Sequence, residues 1–537
     1  MFHTFDSFNK IWVPRHPAPV IDPKVSLGQL ILNALARHGE KILQLDTDTG
    51  AEMSAHEMRL RAIRVAQNLA TLGFRKGVPA ALACSNGENL TPVALGLMIA
   101  GIPFITLPVG FNAADLSHLL GLVQPALIIC DDSMYKTMLD AAGMSLTMKP
   151  VIFAVESERE SIRRVEELLA ETGNEGEFIP PELGLMRTEI AVILCTSGTT
   201  GPPKGVSVSQ AHVAVVLDPP VKRQCDDLNF NFSPLYWGTG LFAMLNSLST
   251  GTTRAITRSA FNEDVFFDVM ERYKPTHFFT PPPHAVLLMT HPRFEKANFE
   301  SLKSWSLTGS SVPPKLRKDL AARLPNGKVT NSYATTELGL IAMDFGVKNP
   351  DAVGVLMPHM SAKVVKEDTN GLAGVGEVGE ILIRTSLPFL GYFDNEEATR
   401  QIIDGDGWVR TGDIGYLDDE AFVYLVGRKK DVIKHRGFQL SPEDLEAIIE
   451  KLDGVAQVCV IGLPEMEGTS DLPAAVVVLR KGSSLTEQNI VEAVEKQVSD
   501  HKRLRGGVYF WEALPMTQTG KILRRVVKQQ LVDSLQK

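Results

Sequence analysis

"EIAVILCTSGTTGPPKGVSVSQAHVAVVL", Glu189 to Leu217, runs from a continuous apolar segment through a loop of glycines, prolines, hydroxyl residues and one lysine into a second apolar pattern. The first part, "EIAVILC", has the length and composition of a buried strand. Ser209 stands where an N-cap would, ahead of a helix through "AHVAVVL". A loop placed where strand passes toward helix is a common phosphate site in α/β proteins. Small residues let backbone N–H groups approach an anion, and Lys204 supplies a point charge. A Walker A loop is disfavoured, because Lys204 is followed by Gly205 and Val206 where the Mg²⁺-binding hydroxyl would stand. Taken alone, the stretch also fits a surface turn.

Working outward, the alternation of helical and strand patterns continues through residues up to about 400 and implies a layered α/β body. Residues 53 to 72 carry apolar groups at helical spacing and stop at Gly73, while "VPAALAC" and "ALIIC" are short buried-strand runs. The most apolar stretch, Pro92 to Gly110, is broken by Pro103 and Pro108 and reads as helix then buried strand rather than a membrane span. With 537 residues, 44% hydrophobic and 22% charged, the chain has material for several cores, and global disorder is excluded. A net charge of −9 gives no general attraction to nucleic acid or anionic membrane, so an anionic ligand must be met by local cations. Cys84, Cys130, Cys195, Cys225 and Cys459 are scattered with no CxxC pair, which fits reduced intracellular thiols. The first residues contain no apolar signal core, and the closing "SLQK" does not match the peroxisomal Ser-Lys-Leu address.

The character changes near Arg428 to Asp431. "GRKKDVIKHRGFQLSPEDLEAIIEKL" opens basic and continues into a helix with Ser441 as N-cap, Pro442 at its first position, and Leu445, Ile448, Ile449 and Leu452 as buried stripe. Strands at "AQVCVIG", "AAVVVLR" and "GVYFW" and a helix at "TEQNIVEAVEKQV" complete an α+β unit of about 110 residues. The expected fold is therefore α/β: a large layered N-terminal domain, 1–429, with mixed sheets and flanking helices, and a small C-terminal α+β domain, 430–537.

Three clusters join the opening loop. "NSYATTELG" places Tyr333, Thr336 and Glu337 in one short span, "GWVRTGDIGYLDDE" sets Asp413 in a turn, and "LPMTQTGKILRR" puts Lys521 after a glycine. Each has a plain structural reading as exposed acid, turn aspartate or solvated lysine. Together with the hinge-like "GRKKDVIKHRGFQLSPEDLE", their order and spacing over nearly the whole chain resemble the adenylate-forming superfamily, in its branch of acyl-CoA synthetases, 4-coumarate-CoA ligases and firefly luciferases.

That resemblance implies activation of a carboxylate by ATP with Mg²⁺, loss of pyrophosphate, and transfer of the acyl group to coenzyme A. It implies that Thr196, Ser197, Gly198, Thr199, Thr200, Gly201 and Lys204 hold the outer phosphates, and that Thr336 contacts the α-phosphate. Glu337 would bind Mg²⁺. Tyr333 would lie against adenine, Asp413 would accept from the ribose hydroxyls, and Arg428 would reach the ribose side. Lys521 would steady charge between carboxylate and α-phosphate, and in this family the small domain swings about a hinge, here Lys430, between the two half-reactions. Lys434, Arg436, Gly437 and Phe438 would meet CoA, although a basic run also fits a solvated face.

The sequence departs from the family where a histidine is usual, reading "SPLYWGTG" with Tyr236 and Trp237, and where a glycine-rich wall is usual, reading "LTGSSVPP" with Ser310 and Ser311. These four residues are candidates for the acyl pocket; aromatics there also fit simple core packing. The resemblance points to a medium- or long-chain fatty acyl-CoA synthetase, peroxisomal or cytoplasmic, needing no nucleic acid, membrane span or obligate protein partner. An aryl (4-coumarate-like) ligase, a luciferase-like monooxygenase, a non-catalytic nucleotide or acyl binder, and an ATP hydrolase yielding ADP are the alternatives.

Overall fold

The computed structural model describes residues 2–15, 25–182, 184, 186–196, 204–217, 226–310, 312–344, 349, 351–387, 389–435, 438–464, 471–498, 500–517 and 520–535, with the side chains of 434, 438, 439 and 501 left aside. Local signals in the sequence place most elements. Ser54 caps the helix Ala55–Thr71 by accepting from the Glu57 N–H, and its apolar face (Met58, Ala62, Ile63, Leu69) is buried. The run after Pro92 divides as its composition suggests, into the helix Leu90–Ile99 and the strand Phe104–Thr106, both fully buried. No described helix is long and apolar enough to cross a membrane.

The large body carries two sheets. A seven-stranded sheet places the strands Phe104–Thr106, Ala80–Ala83, Leu127–Asp131 and Val151–Val155 side by side in parallel. A fifteen-stranded sheet changes character along its width. Its parallel part includes Leu228–Phe230, His277–Thr280, Ser304–Leu307 and Lys328–Thr335. From Lys328–Thr335 onward it continues antiparallel through Gly339–Met343 to Val409–Leu417 and Phe422–Arg428. Helices cover the apolar faces, so each sheet has its own core.

The opening loop differs from the expected strand-to-helix passage. Strand Ile190–Cys195 is followed by a second strand, Gly205–Ser209, that folds back antiparallel with Cys195 opposite Gly205. Only then does the helix Gln210–Val216 begin, with Ser209 Oγ accepting from the His212 N–H as an N-cap. The loop is therefore the tip of a hairpin. The alternation in "GVSVS" is the period of a strand with one buried face, here buried on both.

The small body has a two-stranded sheet, Ile433–His435 with Phe438–Leu440, and a three-stranded sheet of Val455–Pro464, Asp471–Leu479 and Val508–Phe510. Helices Pro442–Ile449 and Glu487–Glu495 pack on the latter through Leu445, Ile449, Ile490 and Val494. Ser441 occupies the N-cap position but does not cap: its Oγ donates to the Val426 carbonyl instead. Arg524 binds the unit together, bonding Glu446 at 2.5 Å and pairing with Glu443 and Asp431. Burial lowers the Arg524 pKa, but Glu446, with Glu443, raises it overall. His435 is fully buried with Nδ1 bonded to the Asp471 carbonyl, so it is no part of an exposed basic face.

Candidate active site

A cavity of about 1540 Å³ lies where the two large sheets and the small body meet. Thr196, Lys204, Thr336, Glu337, Arg428, Lys430 and Lys521, separated by hundreds of residues in sequence, all line it. The fold brings each there by a different device.

Lys204 is placed by the hairpin. The Thr196 N–H donates to the Lys204 carbonyl at 2.9 Å and the Lys204 N–H to Thr196 Oγ1 at 3.1 Å, which fixes both ends of the loop. Ser197, Gly198, Thr199, Thr200 and Gly201 lie outside the described residues. The ammonium of Lys204 sits 4.8 Å from the centroid of the Tyr392 ring, within cation–π range. Tyr392 in turn donates its hydroxyl to Glu337 Oε1 at 2.7 Å, and burial together with that carboxylate raises the phenol pKa. Thr336 and Glu337 occupy the turn between Lys328–Thr335 and Gly339–Met343. Gly339 closes the turn at φ +68°, and a Cβ there would stand 2.6 Å from His212 Nε2. His212 and His359 both line the cavity, and burial lowers each pKa to about 4, so both are neutral at pH 7.

Asp413 and Arg428 face each other on paired strands, with Arg428 Nε 2.8 Å from Asp413 Oδ1. The other carboxylate oxygen accepts from the Tyr333 hydroxyl at 2.5 Å. Arg428 lines the cavity, whereas Asp413 is 3% exposed and lies beneath the wall. Tyr333 does not face the cavity either. Its strand neighbours Ser332 and Ala334 do, and the alternation of side chains turns Tyr333 into the core beside Ile341 and Ala342. The structure thus sets Tyr333 within the wall, its hydroxyl on Asp413. Lys429 and Arg410 share Glu380, at 2.9 and 2.8 Å.

Lys521 comes from the small body. A turn in which the Thr517 N–H donates to the Lys521 carbonyl holds its backbone, and Gly520, at φ +74°, packs so close to Pro283 of the large body that a Cβ would approach to 2.9 Å. Burial, assisted by Arg428 and Lys430, lowers the Lys521 pKa to about 8. The same burial lowers Lys430, the expected hinge.

The acyl candidates separate. Trp237 and Ser310 line the cavity. Tyr236 is packed into the core under the seven-stranded sheet, its ring edge-on to Trp237 at 4.7 Å, and burial raises its pKa. Ser311, Arg436 and Gly437 lie outside the described residues, as do the side chains of Lys434 and Phe438. Residues not anticipated from sequence are Tyr392, His212, His359 and a polar row that includes Thr308, Thr330 and Ser332. The nearest sequence signal for Tyr392 is its place just before the helix cap Asn395 in "GYFDNEEAT".

The arrangement sets cations from four segments around a cavity that Glu337 and Glu380 also line, which suits a ligand bearing several negative charges. The family model described as AMP-binding enzyme matches residues 32–393, and that described as AMP-binding enzyme C-terminal domain matches residues 444–521. Similar proteins include one from Dictyostelium discoideum designated "probable 4-coumarate–CoA ligase 3", 27% identical with 95% of this chain and 96% of that one covered. Luciferin 4-monooxygenase of Luciola mingrelica is 29% identical, with 90% of each chain covered. Among solved structures, ATP-bound MatB from Rhodopseudomonas palustris superposes with a TM-score of 0.84 at 25% identity, covering 94% of this chain and 99% of that one. The chain belongs to the AMP-binding enzyme family, the adenylate-forming superfamily.

Proposed function

We propose that this protein is an AMP-forming carboxylate–CoA ligase acting on an aliphatic acid of medium or long chain. The observation that carries the reading is the convergence of Lys204, Thr336, Glu337, Arg428 and Lys521 on one end of a single large cavity. In the first half-reaction a carboxylate oxygen attacks the α-phosphorus of ATP and the bond to pyrophosphate breaks, giving acyl-AMP. In the second, the CoA thiolate attacks the acyl carbon and AMP leaves.

Two anions must approach one another in the first step, so positioning and charge neutralisation supply most of the acceleration. Lys204 and the hairpin loop are assigned to the leaving pyrophosphate, and Thr336 to the α-phosphate. Lys521, a compact ammonium, is assigned to the oxygens converging between acid and phosphate. Arg428 is assigned to the ribose side; each Asp413 oxygen keeps a lone pair beyond those given to Tyr333 and Arg428. Glu337 fits Mg²⁺ in the manner of nucleotide sites, where one or two carboxylates suffice and phosphate oxygens complete the shell. When bound, Mg²⁺ would neutralise phosphate charge.

We further assign the division between bodies to residues 429 and 430, Lys430 to the hinge, and Lys434, Arg436, Gly437 and Phe438 to CoA. The test is carboxylate-dependent exchange of pyrophosphate into ATP over a panel of fatty and aryl acids, followed by detection of the CoA thioester. Exchange with at least one aliphatic acid and its thioester are expected. No exchange with any acid sinks the reading, and ADP as product would favour the hydrolase.

A further inference from the structure

The cavity wall leading away from the Thr336–Glu337 turn sets hydroxyl groups among aromatic and aliphatic side chains. Strand Lys328–Thr335 runs away from the Thr336–Glu337 turn, with Ser304–Leu307 and His277–Thr280 parallel beside it in register. Alternation sends Phe278, Trp305, Leu307 and Val329 into the core. Ser306, Thr308, Thr330, Ser332 and His277 reach the cavity from these strands, together with the aromatic rings of Phe278 and Phe279. Leu340 and Met343, paired beside Ala334 and Ser332, add apolar surface to the same face, and Phe242 and Ala243 of the helix Gly238–Thr250 also line the cavity.

Thr330 stands six residues before Thr336, about 20 Å down an extended strand. At that depth Ser306 Oγ and Thr330 Oγ1 are 2.8 Å apart, and either is the donor. Two hydroxyls hold two protons, and their mutual bond uses one, so a second O–H and several lone pairs stay available to a ligand. Thr308 Oγ1, by contrast, is committed to the Ser332 carbonyl at 2.7 Å. Beyond the hydroxyl pair, His277 is held with Nδ1 2.6 Å from Ser304 Oγ and Nε2 3.1 Å from Asp227 Oδ2. A saturated tail lying here would dry the hydroxyl floor without replacing its hydrogen bonds, at a cost that a tail hydroxyl removes.

We propose that the acid carries a hydroxyl at its far end, as an ω-hydroxylated medium- or long-chain aliphatic acid does, and that Ser306 and Thr330 are the specificity-determining residues that read it. This rests on the carboxylate–CoA ligase reading. The experiment compares hexadecanoate, ω-hydroxyhexadecanoate and 4-coumarate in pyrophosphate exchange and thioester formation. The kcat/KM for the ω-hydroxy acid is expected to exceed that for hexadecanoate by at least about tenfold. In the Ser306→Ala, Thr330→Val double variant that ratio falls toward one, while Thr330→Ser, which keeps the hydroxyl, retains it. Equal or better use of hexadecanoate, or an unchanged ratio in the double variant, overturns the inference while leaving the ligase reading intact. Preference for 4-coumarate overturns the aliphatic class. Failure of every acid in the wider panel overturns the ligase reading itself, and this inference with it.

Discussion

Lys521 is the residue whose surroundings say most about its use. An ammonium buried beside Arg428 and Lys430 has its pKa lowered to about 8, so it is charged at neutral pH and loses that charge as pH rises through about 8. Pyrophosphate exchange is therefore expected to decline on the alkaline side with a midpoint near that value. Lys521→Ala should remove this limb from the pH–rate profile and slow exchange by about 10²–10³. The same variant should still form thioester from supplied acyl-adenylate, and equal loss in both half-reactions would refute the role. Tyr392 offers a second test. Its hydroxyl is donated to a carboxylate, a bond worth about 1.5–3 kcal/mol, so Tyr392→Phe should lower kcat/KM for ATP by about tenfold or more with the fold retained, as checked by steady-state kinetics and circular dichroism.

At the scale of elements, the turn bearing Thr336 and Glu337 depends on one backbone conformation. Gly339 adopts a positive φ and abuts His212. Gly339→Ala should cost about 1–2 kcal/mol in backbone strain alone, with the displaced imidazole adding to it, seen as a lowered Tm and a loss of exchange larger than the stability change explains. Elements such as these were legible where the signal is local. Ser209 and Pro442 announce helix starts, and "ALIIC" a buried strand, because capping and periodicity act within a few residues. The strand Gly205–Ser209 was legible in its alternation but masked by the glycines and prolines before it, which draw attention to the loop. Tyr333 illustrates a different limit: a motif names a residue, while the face its strand turns toward the cavity is decided by the pairing with Gly339–Met343.

In the whole molecule, the small body is docked with Lys521 at the cavity, where the role proposed for it in adenylation would place it. Docking brings three cations, Arg428, Lys430 and Lys521, to one corner, so an anion bound between them favours it. Gly520 meets Pro283 across the join with no space for a larger side chain. Gly520→Val should thus impair adenylation far more than thioester formation from supplied adenylate, and equal impairment of both would count against this contact's role. The existence of two bodies was legible from the composition shift near Arg428. The side-chain links across the site were not, because Tyr392 and Glu337 are 55 residues apart and no local pattern couples them.

The strand Gly205–Ser209 is not left as a free edge: the Ser207 N–H donates to the Gly391 carbonyl at 3.0 Å and the Phe393 N–H to the Gly205 carbonyl at 2.7 Å. These two main-chain bonds act as a gauge block, setting the spacing between Lys204 and Tyr392, and through Tyr392 that of Glu337, independently of which side chains occupy the strand. Most substitutions along it leave the gauge untouched. Proline is the exception, since it deletes a donor, and Ser207→Pro is expected to weaken ATP binding measured by calorimetry well beyond Ser207→Ala, which keeps the N–H.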